Sequence, residues 1–281
     1  VNATIVYTVS NFGSNTARGS WEDAIYISAD TNFDAGDALM GRVRHRSDIL
    51  PNGSYTNSVT APLPGVLPGD YHVIVRSDIL NHLPESNEEN NLGASLDSVS
   101  IDSELLVLGT PSTGTIDQGQ SVFYKFEAVA GQTIRVRFNT GVSLAGNEIY
   151  VRYAQMPSRG QFDFAINEPF IADPDLFMPI ENTGTHYLLV YCGSMPAPVP
   201  YTILAEVLPF SVATIFPNVA GDRGSTTFKI QGALFNGDTV FQLNQGTNKI
   251  PATSVLLENS SVAYVTFNLV SAKNGVWDLS A

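Results

Sequence analysis

Side-chain oxygens recur two residues apart at Asp30, Asn32 and Asp34, and Gly36 and Asp37 follow. When such a stretch curls, those oxygens can converge on one hard cation. Calcium is the natural one, since it takes roughly six to eight oxygen ligands. An EF-hand loop carries Gly at its sixth position and a bidentate Glu at its twelfth. Counted from Asp30, Gly36 is seventh and Arg42 thirteenth, so this is not that loop. The competing reading is a hairpin loop whose Asp and Asn side chains accept neighbouring backbone amides. Asp78 and Glu85 are weaker metal candidates, in the run Asp78-Ile-Leu-Asn81-His-Leu-Pro-Glu85-Ser-Asn-Glu88-Glu89-Asn90-Asn91. That cluster could meet Asp23 or the Asp30 loop in space, while Asn90 and Asn91 suit a role in tying down the turn backbone. Asp173 and Asp175, close to Glu168 on a Pro-containing loop, form the last cation candidate.

Other chemistry is thinner. Arg42, Arg44 and Arg46 would share one face of a strand, as an anion site or as an exposed face paired with local acids. Tyr150, Tyr153, Phe162 and Phe164 could form an aromatic platform for a sugar or peptide, although aromatics at alternating positions suit a core. Cys192 lies in the apolar run Tyr187-Leu-Leu-Val-Tyr-Cys192 and reads as a small core residue. It is the single cysteine, so no intrachain disulfide forms. The four histidines, His45, His72, His82 and His186, lack the spacing of a zinc site. No Gly-x-Ser-x-Gly elbow and no phosphate loop is present. The chain reads as a non-enzyme.

These residues need a scaffold, and the hydrophobic pattern says which. Val1, Ala3, Ile5, Tyr7 and Val9 alternate with polar neighbours, which puts them on one face of a strand. Similar short segments follow at Ala24–Ser28, Tyr71–Arg76, Val122–Glu127, Thr133–Phe138, Glu148–Tyr153, Tyr187–Tyr191, Thr202–Val207, Thr226–Gln231, Thr239–Leu243 and Ala263–Asn268. Gly, Pro, Asn and Asp turns separate them, and no segment keeps a helical period. The expected fold class is all-β: three consecutive β-sandwich modules, immunoglobulin-like or jelly-roll-like, over residues 1–101, 102–207 and 208–281. The first and last are expected to be incomplete, because both ends of the sequence fall inside strand-like segments. The chain is accordingly read as a piece of a longer polypeptide.

The 281 residues carry a net charge of −13. Residues 1–101 hold 12 acids against 5 bases, a net −7; residues 102–207 hold 11 against 5, a net −6; residues 208–281 are balanced. Nucleic acid is excluded as a partner, because phosphate binding needs clustered Lys and Arg. No apolar run approaches the roughly 18–20 residues that span a membrane, so no membrane insertion is expected within this segment.

Several ordered motifs in the first module carry a family resemblance. Tyr7-Thr-Val-Ser-Asn-Phe-Gly-Ser-Asn-Thr-Ala17, Trp21-Glu-Asp-Ala-Ile-Tyr-Ile-Ser28, Leu67-Pro-Gly-Asp-Tyr71 and the stretch Glu85 to Asn91 resemble a CARDB domain, the cell-adhesion-related domain of bacterial and archaeal surface proteins. The resemblance implies an immunoglobulin-like sandwich of seven strands whose first strand would precede Val1, leaving an open edge. In the second module, Gly114-Thr-Ile-Asp-Gln-Gly119, Phe123-Tyr-Lys-Phe126, Ala130-Gly-Gln-Thr-Ile134 and Gly184-Thr-His-Tyr-Leu-Leu-Val-Tyr191 resemble the bacterial pre-peptidase C-terminal domain. Asn147-Glu-Ile149 departs from that family's usual acidic pattern. Ile215-Phe-Pro-Asn218 and Gly224-Ser-Thr-Thr-Phe-Lys-Ile-Gln-Gly232 resemble the opening of an IPT/TIG domain, with Trp277 expected in its core.

Together these imply a structural or adhesive segment of a large secreted or cell-surface bacterial protein, stiffened by calcium at Asp30, Asn32, Asp34 and Asp37. Its partners would be an extracellular protein or polysaccharide, or neighbouring copies of itself. An accessory region of a secreted hydrolase and a subunit of a sheath or filament are the alternatives.

Overall fold

The computed structural model describes residues 2–281, so Val1 of the first expected strand lies outside the described residues. The described chain is all-β and divides into two compact units, residues 1–103 and 104–281. The boundary expected near 100–104 falls between the units, and the one expected near 208–211 lies within the second.

The first unit holds β1 (Asn2–Ser10), β2 (Trp21–Ser28), β3 (Ala38–His45), β4 (Ser54–Pro62), β5 (Gly69–Arg76), β6 (Leu92–Ala94) and β7 (Val99–Ile101). β1 and β4 form a two-stranded antiparallel sheet. The facing sheet runs β3-β2-β5-β6, with β7 also on β5. The period-two pattern is realised directly. Tyr7 and Val59 pack inward on Ile25, Ile27 and Met40, with Ala3, Ile5, Val9, Val73 and Val75 at the margin of that core. On the outer face of β1, Thr4 and Thr8 pair hydroxyl to hydroxyl with Thr60 and Thr56, at 2.8 and 2.9 Å. Cross-strand pairs of this kind help to hold register.

In the second unit, β8 (Glu104–Leu105), β9 (Ser112–Ile116), β10 (Ser121–Ala128), β11 (Thr133–Asn139), β12 (Gly146–Tyr153), β13 (Phe164–Ile166), β14 (Asp175–Pro179), β15 (Gly184–Ser194) and β16 (Val199–Leu208) come first. They form sheets in the orders β13-β12-β15-β10-β8 and β14-β11-β16-β9. The core between them includes Phe126, Phe138, Ile149, Val190 and Cys192. Gly114 is required where it stands. It lies opposite Tyr201, and a Cβ there would sit 2.5 Å from that residue's hydroxyl oxygen. The hydroxyls of Tyr201 and Tyr124 bond each other inside this core.

The remaining strands are β17 (Ser211–Phe216), β18 (Ser225–Ala233), β19 (Gln242–Gln245), β20 (Asn248–Asn259), β21 (Val262–Asn268) and β22 (Asp278–Ser280), ordered β17-β18-β21-β20-β19-β22. β20 is shared: residues up to Pro251 pair with β19, and residues from Ala252 pair with β21. Trp277 is half-buried against a second core that includes Phe228, Phe241 and Phe267. The strand expected at Thr239–Leu243 begins at Gln242 instead. Thr239 closes a turn, donating its amide to the Asn236 carbonyl and accepting the Asn236 amide on its hydroxyl. Local hydrogen bonding of this kind competes with the ladder.

Cys192 is fully buried, and its thiol is pushed above its usual range by desolvation. Only a thiolate reacts quickly. Native protein is therefore expected to resist a thiol-specific chromogenic reagent, and labelling should track unfolding in urea. Immediate labelling of the folded chain would contradict this burial.

Candidate functional site

The first unit is organised around a buried carboxylate. Asp23, fully buried on β2, accepts the hydroxyls of Tyr7 and Tyr55 on one oxygen, each at 2.7 Å. Its other oxygen accepts the Ser77 hydroxyl at 3.1 Å and the Asp78 amide at 3.3 Å. Trp21 adds a second layer by donating its indole N–H to Tyr55 at 3.1 Å. β1, β2, β4 and the end of β5 thus converge on one anion. A buried carboxylate is tolerated only when donors surround it. Burial first, and the Asp23 contact next, push the Tyr7 hydroxyl well above the usual tyrosine range. Burial does the same to Tyr55, with Ser77 and Trp21 opposing it in part.

Asp78 meets Asp23, as one of the two placements considered for its cluster. It is buried, and its carboxylate accepts the amides of His82 and Leu83 at 2.9 and 2.7 Å. Its φ of 45° and that of Asn81, 49°, are values that Asp and Asn tolerate better than most residues. Further along, Glu88 accepts the Glu85 amide at 2.9 Å, and the Asn91 side chain donates to the Glu85 carboxylate. The other acidic loop is also knitted to its own backbone. Asp30 accepts the Asn32 amide at 2.6 Å, Asp34 that of Gly36 at 2.6 Å, and Asp37 that of Asp34 at 2.9 Å. Among the described residues, no three His, Cys, Asp or Glu side chains gather as a metal cluster. Arg42 lies 3.9 Å from Glu22, and Arg44 bonds the Ser20 hydroxyl, while Arg46 falls beyond the end of β3.

The CARDB resemblance implied an open edge in the first module, and the sandwich has one along β1. A groove of about 1200 Å³ runs along β1, floored by Ile5, Tyr7, Val9, Val73 and Val75, with Leu92 of β6 at its lip. β1 and β6 are the edge strands of their sheets. The half-buried state of Ile5, Val9, Val73 and Val75, inward-facing residues in a pattern made for burial, was the signal that only coordinates supply.

The CARDB family model matches residues 1–95. The matched residues are a CARDB domain and hold β1 to β6, the Asp23 carboxylate and both acidic loops. No family model supports the pre-peptidase C-terminal or IPT/TIG resemblance of the later residues. No curated protein matches the chain. Among solved structures, it is similar to the secreted serine protease VesC from Vibrio cholerae, with 8% identity and a TM-score of 0.28, over 73% of this chain and 47% of that one. It is also similar to the infectious bursal disease virus VP2 subviral particle, with 11% identity and a TM-score of 0.19, over 73% of this chain and 56% of that one. The chain thus spans about half the length of each. Likenesses this weak bear on neither fold nor function.

Outside the CARDB domain, the remaining candidates have local partners. Asp173 accepts the Thr140 amide at 3.0 Å. Asp175 holds Arg135 with two bonds of 2.8 and 2.6 Å. Phe164 packs on the core, and Tyr150 is buried beneath Phe162, with ring centres 5.2 Å apart. Tyr153 rests on His186. Arg159 grips Glu148 at 2.7 and 2.8 Å and lies 4.3 Å from the centre of the Tyr191 ring. Burial would raise the Glu148 carboxyl, but Arg159 and the Tyr150 hydroxyl outweigh it, and the group ends below its usual range.

Two measurements test the CARDB domain. Asp23→Ala strands three hydroxyls and is expected to cost about 2–4 kcal/mol of stability in urea. Tyr7 and Tyr55 stay protonated in the folded state at pH values where the unfolded chain ionises them. These two tyrosines should therefore add no pH dependence below their ordinary value of 10.0 and cost the domain stability as pH rises past it, with a shallower loss in Tyr7→Phe. At the Asp30 loop, a cation must displace three carboxylate–amide bonds. No calcium-specific rise in melting temperature is expected up to about 0.1 mM, whereas a response at about 1–10 mM fits a weak extracellular-type site. A rise already at micromolar calcium would show that the loop reorganises into a high-affinity site.

Proposed function

We propose that this chain is a non-catalytic, adhesion-related segment of a secreted or cell-surface bacterial protein, with the CARDB domain as its contact module. The match over residues 1–95 carries this reading, because CARDB is a non-catalytic family of extracellular and surface proteins. The acidity of residues 1–101, a net −7, is what supports a positively charged protein as the counterpart. Weak calcium binding at Asp30, Asn32, Asp34 and Asp37 belongs to the same proposal and would relieve repulsion within that loop.

A second reading is an accessory polysaccharide-binding region of a secreted hydrolase. One observation favours it. Ile149, Val151, Leu188 and Val190 point into the core, so their strand neighbours face outward, and there Phe123, Tyr187 and Tyr191 are only half-buried. Aromatic rings on a sheet face can stack on sugar rings.

Surface-plasmon binding to immobilised extracellular-matrix proteins and to insoluble polysaccharides separates the readings. Saturable protein binding that is lost on deleting residues 1–103 is the expected result. Retention on polysaccharide that Tyr187→Ala abolishes would replace the adhesive reading with the accessory one. Hydrolysis of any tested polymer by the purified chain would overturn both.

A further inference from the structure

We propose that His186 is an acid-sensing switch in the second unit: neutral, it seals one end of the sandwich formed by β8 to β16; protonated, it leaves its seat and lets the turn above it open. The switch lies outside the CARDB domain and does not depend on the adhesive reading.

Strand register sets the seat. On β15, His186 pairs with Phe126 of β10 on one side and with Tyr153 of β12 on the other. Residues directly opposite each other in a sheet share a face, and Phe126 is fully buried in the core, so His186 points inward. Its ring stacks on Phe126, with centres 5.4 Å apart and planes 13° from parallel, and meets the Tyr153 ring at 5.2 Å. Only 3% of His186 is exposed. The turn between β14 and β15 closes over this row. Tyr153 donates its hydroxyl to the Thr183 carbonyl at 3.2 Å, the Thr183 hydroxyl accepts the Ala130 amide at 3.0 Å, and Thr185 donates to Glu127 at 2.6 Å.

The seat suits a neutral ring. Nδ1 lies 3.1 Å from the Gly184 carbonyl, which can only accept, so Nδ1 carries the hydrogen. This is the ring's one hydrogen bond among the described residues. Protonation adds an N–H at Nε2 that has no acceptor there, and it places a charge where burial is costly. Burial pushes the ring below its usual range, and the Gly184 carbonyl, Asp163 and Glu127 oppose this only in part. The same two carboxylates draw a charged ring outward. Asp163 accepts the Tyr153 amide at 2.8 Å, and Asp163, Glu127 and Glu181 of the turn are all exposed.

The sequence isolates the effect. Residues 104–281 contain no other histidine. Carboxylates titrate near pH 4 and tyrosines near pH 10, so between about pH 7 and 5.5 His186 is the side chain of this unit whose charge changes. The unfolded chain takes up this proton at the ordinary value of 6.5, the folded chain at a lower pH. The stability that the neutral seat contributes is therefore whole above 6.5 and is lost as pH falls below it.

Histidine-ring NMR of the whole chain reads the titration, and calorimetry and hydrogen exchange read its effect. His186 is expected to titrate below 6.5. Between about pH 7 and 5.5, the melting transition that exposes Cys192 should fall by about 2–4 °C. Beyond the intrinsic effect of pH on exchange, protection of the Ala130 and Ala154 amides, which bond Thr183 and Thr185, should drop by about tenfold before that of Val136 does. His186→Phe keeps the stacked ring, cannot be protonated and should abolish the dependence. Asp163→Asn should move the titration to still lower pH. A ring that titrates at or above 6.5 overturns the proposal. So does a pH dependence that survives in His186→Phe, or protection that falls uniformly across the unit. If His186→Phe does not fold, the ring titration and the exchange pattern of the unmutated chain decide alone.

Discussion

A single buried carboxylate organises the first unit. Asp23 cannot be stable there without donors, and its donors come from strands on both sheets. The bonds fix how the two-stranded and the larger sheet face each other. They also fix Tyr7, whose ring is part of the groove floor and whose hydroxyl is held at 2.7 Å by Asp23. The shape of the groove is thus tied to an electrostatic demand at its inner end. Hydrophobic packing alone would leave the register of a two-stranded sheet far less constrained.

The acidic loops show how one residue pattern serves two chemistries. Asp and Asn at short spacing are the donor set of a calcium loop and equally the acceptors of a tight turn. In the Asp30 loop the backbone amides have taken the carboxylates, so a cation competes with bonds already made. The same holds outside the CARDB domain, where Asp175 is held in a two-point grip by Arg135 and Asp173 by a backbone amide. Acidity on this chain is spent largely on shaping turns and pairing neighbours. The charge left over lies on exposed edges, among them the rim of the groove.

The second unit satisfies its edges differently. Its two main sheets close over a core in which Phe126, Ile149 and Val190 are fully buried. The strand β20 then passes from β19 to β21 and carries the last core with it. In the first unit Ile5, Val9, Val73 and Val75 stay half-buried at the margin of a smaller core.

The all-β class, the strand positions and the CARDB motifs were legible in the sequence, because period-two alternation and turn residues are local properties of the chain. Tyr7, Ile25 and Val59 are read as inward-facing from their neighbours alone. The start of β19 was misplaced by three residues because a turn bond at Thr239 overrides the apolar pattern. The meeting of Asp78 with Asp23 was one of two placements the sequence allowed, but neighbours in sequence do not reveal that Tyr7, Tyr55 and Ser77 also bond Asp23. Which oxygens hold a cation and which hold an amide is likewise invisible in composition, as both uses need the same residues. The open edge was implied by the resemblance, but the groove beside it was not legible: it depends on β1 and β6, more than eighty residues apart, ending their sheets side by side. Periodicity determines which face of a strand is buried. Only tertiary pairing decides which strand is left without a neighbour.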